Sequence, residues 1–334
     1  MLRPPPAGGR RRARDIVQAM SELPLRALGG SSLQVSVVGL GCNNFGRRLD
    51  LGATREVVEA ALELGVTFLD TADVYGRGAS EELLGQILQE RRHEVVLATK
   101  FGMDMGDGRG PRGSRQYIQQ AVESSLRRLR TDVIDLYWYH RPDGQTPIAE
   151  TLSALDELIQ AGKVRAIGAS NFDAELIAEA DGVAHERGLT PFAAVQNEYS
   201  LLVRDAERDV LPTCERLGIG FVPYFPLASG LLTGKYRRGE AAPAGARLSG
   251  RDQIATPEQF DLLDALQGYA DERELSLIQV AIGGLLASST VASVIAGATK
   301  PEQVRANAAA ARWFPDEENL AALRTLLDSA GARR

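Results

Sequence analysis

Residues 37–46 read VVGLGCNNFG. An apolar run leading into spaced glycines is how a dinucleotide-binding doubly wound sheet opens, with G-x-G-x-x-G joining its first strand to a helix. Gly39 and Gly41 fill the first two positions, but Asn44 stands where the third glycine belongs. Without it the doubly wound sheet lacks its fingerprint, and another parallel architecture has to account for the rest of the chain.

Outward from this stretch, short apolar runs alternate with longer helical patterns. Strands are expected at 37–40, 67–70, 95–99, 134–139, 164–167, 193–196, 220–223 and 291–295. Helices are expected at 54–64, 80–89, 114–129, 147–160, 173–186, 205–217, 275–287 and 301–311. In the first helix Val57, Val58, Ala61 and Leu62 share a face, with Thr54 as N-cap and Gly65 as the stop. Strict βα alternation requires parallel strands with right-handed crossovers. Eight such units suit an α/β fold of the (β/α)8 TIM barrel type, typically about 250 residues before insertions. Residues 25–35, with Gly29-Gly30 between two apolar pieces, read as an N-terminal β-hairpin that plugs the barrel bottom. Residues 229–252 are too long for a plain connection and read as an active-site loop, as do 102–113. The expectation is one barrel domain over 21–334.

Composition narrows the function. With 44% hydrophobic and 25% charged residues the chain has the balance of a soluble globular protein. A net charge of -6 argues against a nucleic-acid partner, which needs a concentrated basic face. Cys42 and Cys214, far apart, make no disulfide framework, so a reducing cytoplasm is the expected compartment. No apolar run reaches the ~18 residues of a membrane span. The opening MLRPPPAGGRRRARD has no apolar h-region, so 1–20 reads as a disordered basic extension, or as an early-assigned start with Met20 the alternative.

All strands of a parallel barrel open their C-terminal ends on one face, where the chemistry sits. FLDTADVYG (68–76) then brings Asp70 and Tyr75 to that face, VVLATKFG (95–102) brings Lys100, and IDLYWYH (134–140) brings His140. Asp73 keeps only a turn-forming role. The set excludes several chemistries. The three histidines are not paired at metal-ligand spacing, so no metal site is expected. A carboxylate held by a lysine suits neither half of a glycosidase pair. There is no GxSxG elbow, and SGLLTGKY (229–236) fails as a P-loop.

A phenol acting as proton donor fits better. Free tyrosine titrates near 10, and a neighbouring ammonium is expected to lower that value. Asp70 holds Lys100 charged and aimed at Tyr75, while His140 fixes a carbonyl oxygen. A proton to that oxygen implies a hydride to its carbon, hence a nicotinamide cofactor.

With these residues in place, the chain resembles the aldo-keto reductase superfamily, in the branch that includes the potassium-channel beta subunits. The resemblance is carried by VVGLGCNNFG, FLDTADVYG, VVLATKFG, IDLYWYH, GKVRAIGASNF, PYFPLASGLLTGKY and IAGATKPEQVRANAA. It implies a barrel that reduces small-molecule aldehydes or ketones with NAD(P)H, using a tetrad of Asp70, Tyr75, Lys100 and His140. It further implies that Ser170, Asn171 and Gln196 bind the carboxamide and that Tyr224 stacks on the nicotinamide. Phe225, Leu227, Ser229 and Leu231, with Lys235 and Arg247, would hold the pyrophosphate. Gly297, Thr299, Lys300, Gln303 and Asn307 would grip the adenosine and its 2'-phosphate at a helix N-terminus. Cys42 and Asn43 stand at the cofactor rim where many relatives carry Thr and a larger residue. Arg47-Arg48 follow, so a polar or anionic substrate is expected. Lys300 is the one clear cation near the 2'-phosphate, with Gln303 where some members carry Arg; NADPH is expected, with NADH possible. A non-enzymatic alternative is an NADP(H)-binding regulatory subunit like the channel subunits, which carry Asn where this chain has His140. Oligomeric state is open.

Overall fold

The computed structural model describes residues 23–329, apart from 107 and 252, so the expected extension at 1–20 lies outside the described residues. Strands β1 (Leu25–Ala27) and β2 (Gln34–Ser36) form an antiparallel hairpin. The others are β3 (Val38–Gly41), β4 (Phe68–Asp70), β5 (Val96–Phe101), β6 (Ile134–Tyr139), β7 (Val164–Ser170), β8 (Ala194–Gln196), β9 (Gly220–Phe221) and β10 (Val294–Gly297). They pair in parallel in the order β10-β3-β4-β5-β6-β7-β8-β9. Parallel bridges Phe221–Val291 and Tyr224–Ile295 join the two ends, so the sheet closes as the expected (β/α)8 barrel. β9 is shorter than expected because Pro223 offers no N–H to a ladder; its carbonyl instead accepts from Ile295 N at 3.0 Å.

The helices are α1 (Leu51–Glu63), α2 (Ala79–Ile87), α3 (Arg115–Leu129), α4 (Ile148–Gln160), α5 (Ala174–Arg187), α6 (Val210–Leu217), α7 (Pro257–Asp271), α8 (Leu277–Leu286), α9 (Pro301–Ala310) and α10 (Glu317–Ser329). Four depart from expectation. The N-cap of α1 is Asp50, whose Oδ1 accepts from Ala53 N at 3.0 Å, while Thr54 is buried inside the helix. The expected helix at 205–217 breaks, because Pro212 clashes with the carbonyl of residue 208 if the helix continues back; a 3-10 turn at Asp205–Glu207 precedes α6. α7 was not expected at all, although Thr256 and Gln259 form a capping box with Pro257 at the first helical position. α10 is also additional, and packs on α7 through Tyr269 Oη donating to Asn319 O at 2.8 Å.

Side chains alternate along each strand, so every second residue points into the barrel. Phe68, Ala98, Trp138, Ala194, Val222 and Ile295 belong to one inner cluster, closed below by Leu28, Leu33 and Val35 of the hairpin. The plug fits because Gly29 makes the turn with φ +53, and a Cβ there would lie 2.1 Å from Ala193 O. Bulk is balanced across the interior: Trp138 fills the space beside Gly168, where a Cβ would meet its ring at 2.4 Å. Two residues further along the same strands, one step nearer the C-terminal face, the inward positions are Asp70, Lys100, His140, Gln196, Tyr224 and Gly297. Strand period and hydrophobic core together thus raise one polar layer at the barrel mouth.

Candidate active site

Lys100 is fully buried and donates to Asp70 Oδ2 at 2.5 Å and to Thr71 O at 2.8 Å. Its third direction points at Tyr75 Oη, 3.4 Å away. Asp70, 2% exposed, uses its other oxygen to accept from Gln196 Nε2 at 3.0 Å. A buried ammonium with a carboxylate on one side and a phenol on the other is the grouping expected of the three strand ends and the loop after the first. Tyr75 opens a 3-10 turn, Tyr75–Gly78, in which Gly76 and Arg77 take φ +59 and +56. The His140 ring meets the Tyr75 ring edge-on at 6.0 Å between centroids.

The electrostatics differ from expectation at one point. Lys100 does pull the Tyr75 phenol down, but burial outweighs it and the net shift is upward from the ordinary 10. Tyr75 is therefore held protonated at neutral pH. Burial alone would lower Lys100, yet Asp70 and Tyr75 outweigh burial and raise it, so the ammonium stays charged. His140 is driven down to about 3 by burial, with Lys100 and Arg141 adding to the effect, and is a neutral imidazole.

Asp73, expected only to form the turn, is also buried. It is 3% exposed, its N–H donates to Lys100 O at 3.2 Å, and its Oδ1 is buried without a partner among the described residues. Burial first, then the nearby Glu81 carboxylate, pushes its carboxyl up to about 8. Glu81 is itself held by Thr99 Oγ1 at 2.6 Å and Arg128 Nε at 2.6 Å.

A cavity of about 560 Å³ opens above this floor, within the usual range of cofactor sites. Asp70, Tyr75, His140, Cys42, Asn43, Ser170, Asn171, Gln196 and Tyr224 line it. So do Phe225, Leu227, Ser229, Lys235, Arg247, Gly297, Thr299, Gln303 and Asn307. Leu231 and Lys300 do not: Leu231 is buried in the core, and Lys300 stands exposed at the N-cap of α9. Gln303 folds back, its Oε1 accepting from Thr299 N at 2.7 Å. The amide of Asn171 is largely committed. It donates to His140 O at 2.9 Å and to Ser170 Oγ at 3.1 Å, and accepts from Tyr224 Oη at 2.8 Å. Arg141 and Met103 also line the cavity and escaped the sequence reading, although Arg141 directly follows His140.

Asn171, Phe225 and Ser229 all hold left-handed backbone at φ 60, 54 and 59, a strain that clusters at ligand sites. The cavity therefore suits a dinucleotide in its donor set and volume. It offers an aromatic face, six primary amides, a strained backbone turn and, at Gly297, a surface with no side chain. Among the described residues no group of three or more His, Cys, Asp or Glu could hold a metal ion. No helix among them is long and apolar enough to cross a membrane.

The sequence profile described as "Aldo/keto reductase family" matches residues 37–328. The chain belongs to the aldo/keto reductase family. This aldo/keto reductase is 37% identical to the uncharacterized oxidoreductase YqkF of Bacillus subtilis, over 88% of this chain and 93% of that protein. It is 36% identical to a probable voltage-gated potassium channel subunit beta of Arabidopsis thaliana, over 86% of this chain and 91% of that one. An L-glyceraldehyde 3-phosphate reductase of Escherichia coli O157:H7 is 33% identical, over 86% and 87%. Among solved structures, the holo form of aldo-keto reductase AKR11C1 from Bacillus halodurans superposes with a TM-score of 0.77 at 33% identity, covering 91% of this chain and 96% of that one. Family and oxidoreductase relatives make this chain an oxidoreductase built on the expected barrel.

Proposed function

We propose that this aldo/keto reductase reduces an aldehyde or ketone to the alcohol with NADPH, Tyr75 being the general acid. The observation that carries the reading is the buried Lys100 ammonium between the Asp70 carboxylate and the Tyr75 hydroxyl, on the floor of the cavity. Tyr75 is protonated at neutral pH and gives its proton to the carbonyl oxygen; Lys100 stabilises the phenolate as it forms. Asp70 keeps Lys100 charged and fixed. His140, neutral, offers one ring N–H to the same oxygen and does not compete for the proton. The bound nicotinamide supplies the hydride to the carbonyl carbon.

The chain's own residues hold that cofactor. Tyr224 provides the stacking face, with Ser170, Asn171 and Gln196 for the carboxamide. Lys235, Arg247 and the turn at Phe225, Leu227 and Ser229 serve the pyrophosphate, and Gly297, Thr299, Gln303 and Asn307 the adenosine. The choice of NADPH rests on the α9 N-terminus with the exposed Lys300 at its cap, a place that favours a phosphate. The compartment proposed is the cytoplasm.

A second reading, an NADP(H)-binding regulatory subunit, draws support from the 36% identity to a probable potassium channel subunit beta. Loss of NADPH absorbance across sugar, aliphatic and aromatic carbonyls separates the two. Many turnovers per protein support the reductase, whereas one equivalent oxidised and then nothing supports the subunit.

A further inference from the structure

The cavity carries more positive charge than its chemistry at the floor needs. Arg48, Arg141, Lys235 and Arg247 line it, against a single lining carboxylate, Asp70, which Lys100 already neutralises. The chain as a whole is acidic, at -6, so cations have been concentrated at this mouth. Some surface arginines elsewhere are paired, Arg91 with Glu94, Arg115 with Glu157 and Arg165 with Asp135. Arg48, Arg141 and Arg247 have no ion-pair partner among the described residues. Arg247 instead lies over the Phe225 ring at 4.6 Å. Arg47, Arg48 and Arg251 stand near enough to add to the burial that lowers its guanidinium. Like charges gathered without counter-ions cost free energy unless an anion joins them.

The cations divide by position. Lys235 and Arg247 come from the long loop beside Phe225 and serve the pyrophosphate in the reading above. Arg141 follows His140 at the reacting end, where its charge acts on both His140 and Tyr224. Arg48 comes from the β3–α1 connection, near Arg247, and also lines the cavity. We infer that the substrate is a carbonyl compound carrying its own oxyanion, a phosphate or a carboxylate, which Arg141 and Arg48 receive while the carbonyl oxygen lies against Tyr75 and His140. Guanidinium groups suit this because their fork of donors matches both anions. This inference rests on the reductase reading.

The test compares charged and neutral members of matched pairs at saturating NADPH: glyceraldehyde 3-phosphate against glyceraldehyde, and succinic semialdehyde against butanal. At least one charged member should be preferred in kcat/KM by about tenfold or more, the scale of one charge-assisted hydrogen bond. The pair with the larger ratio tells phosphate from carboxylate. The preference should shrink as salt rises. Arg141→Ala and Arg48→Ala should each cut the charged-to-neutral ratio about tenfold, and Arg141→Lys should restore part of it. Equal kcat/KM within both pairs would overturn the inference. So would alanine variants that weaken NADPH binding, read by fluorescence titration, while leaving the ratio untouched, since the arginines would then belong to the cofactor. If no carbonyl is turned over, the reductase reading fails. Calorimetry of inorganic phosphate and succinate with the protein saturated in NADP+ then still decides: binding lost in Arg141→Ala supports an anion site, and no binding of either contradicts it.

Discussion

Lys100 Nζ lies 2.5 Å from Asp70 Oδ2 and 3.4 Å from Tyr75 Oη, with lysine and carboxylate both removed from solvent. An ammonium buried this deeply persists because its carboxylate partner and two oxygen acceptors replace the lost hydration. The same arrangement aims its charge at the phenol that faces the cavity.

Removing the carboxylate tests that dependence. Asp70→Asn leaves Lys100 buried and uncompensated, and breaking such a pair from one side costs about 3–5 kcal/mol. Urea denaturation should show a loss on that scale, together with a fall in kcat. Unchanged stability would mean the ammonium finds another partner.

The pH dependence of reduction follows from the shifted groups. His140, at about 3, is neutral through the working range, so the kcat/KM profile should show no break near 6.5. Tyr75, raised from 10, keeps its proton past that value, so the profile should stay level through neutrality and fall only on the alkaline side. An inflection between pH 6 and 7 would assign a titrating imidazole to the mechanism.

Asp73 gives a stability signature. Its folded-state value of about 8 lies above the ordinary 3.8, so the folded state binds the proton more tightly. That contribution is complete below about 4 and is lost as pH rises through about 8. Asp73→Asn, which cannot titrate, should gain in melting temperature relative to the parent chain between pH 5 and 8.5. A gap that stays constant over that span would contradict the burial account.

Much of this arrangement is legible in the chain itself. The missing glycine at Asn44 and the βα alternation select the barrel, and its geometry gathers Asp70, Lys100 and His140 from separated strand ends. What local sequence cannot convey is long-range packing. Asp73 sits in a motif that reads as a turn; only the approach of Glu81 on α2, itself paired with Arg128 on α3, makes its site buried and acidic. The segment Ala228–Thr233 contains kinked, left-handed residues, so no period tells that Leu227 faces the cavity while Leu231 turns into the core. Arg141 looks like any solvated arginine after a strand until the cavity is drawn around it. The Thr256–Gln259 capping box, by contrast, is a local signal that marks the start of α7 in the sequence itself.

The proposed reduction requires Tyr75 to deliver the proton. Tyr75→Phe keeps the ring and the fold and removes only the hydroxyl. NADPH oxidation by the two proteins should be followed with the best carbonyl substrate, alongside a fluorescence titration of NADPH binding. In the phenylalanine variant kcat should fall about 10²–10⁴-fold while the dissociation constant for NADPH stays near that of the parent chain. A phenylalanine variant that turns over at the parent rate would contradict that requirement.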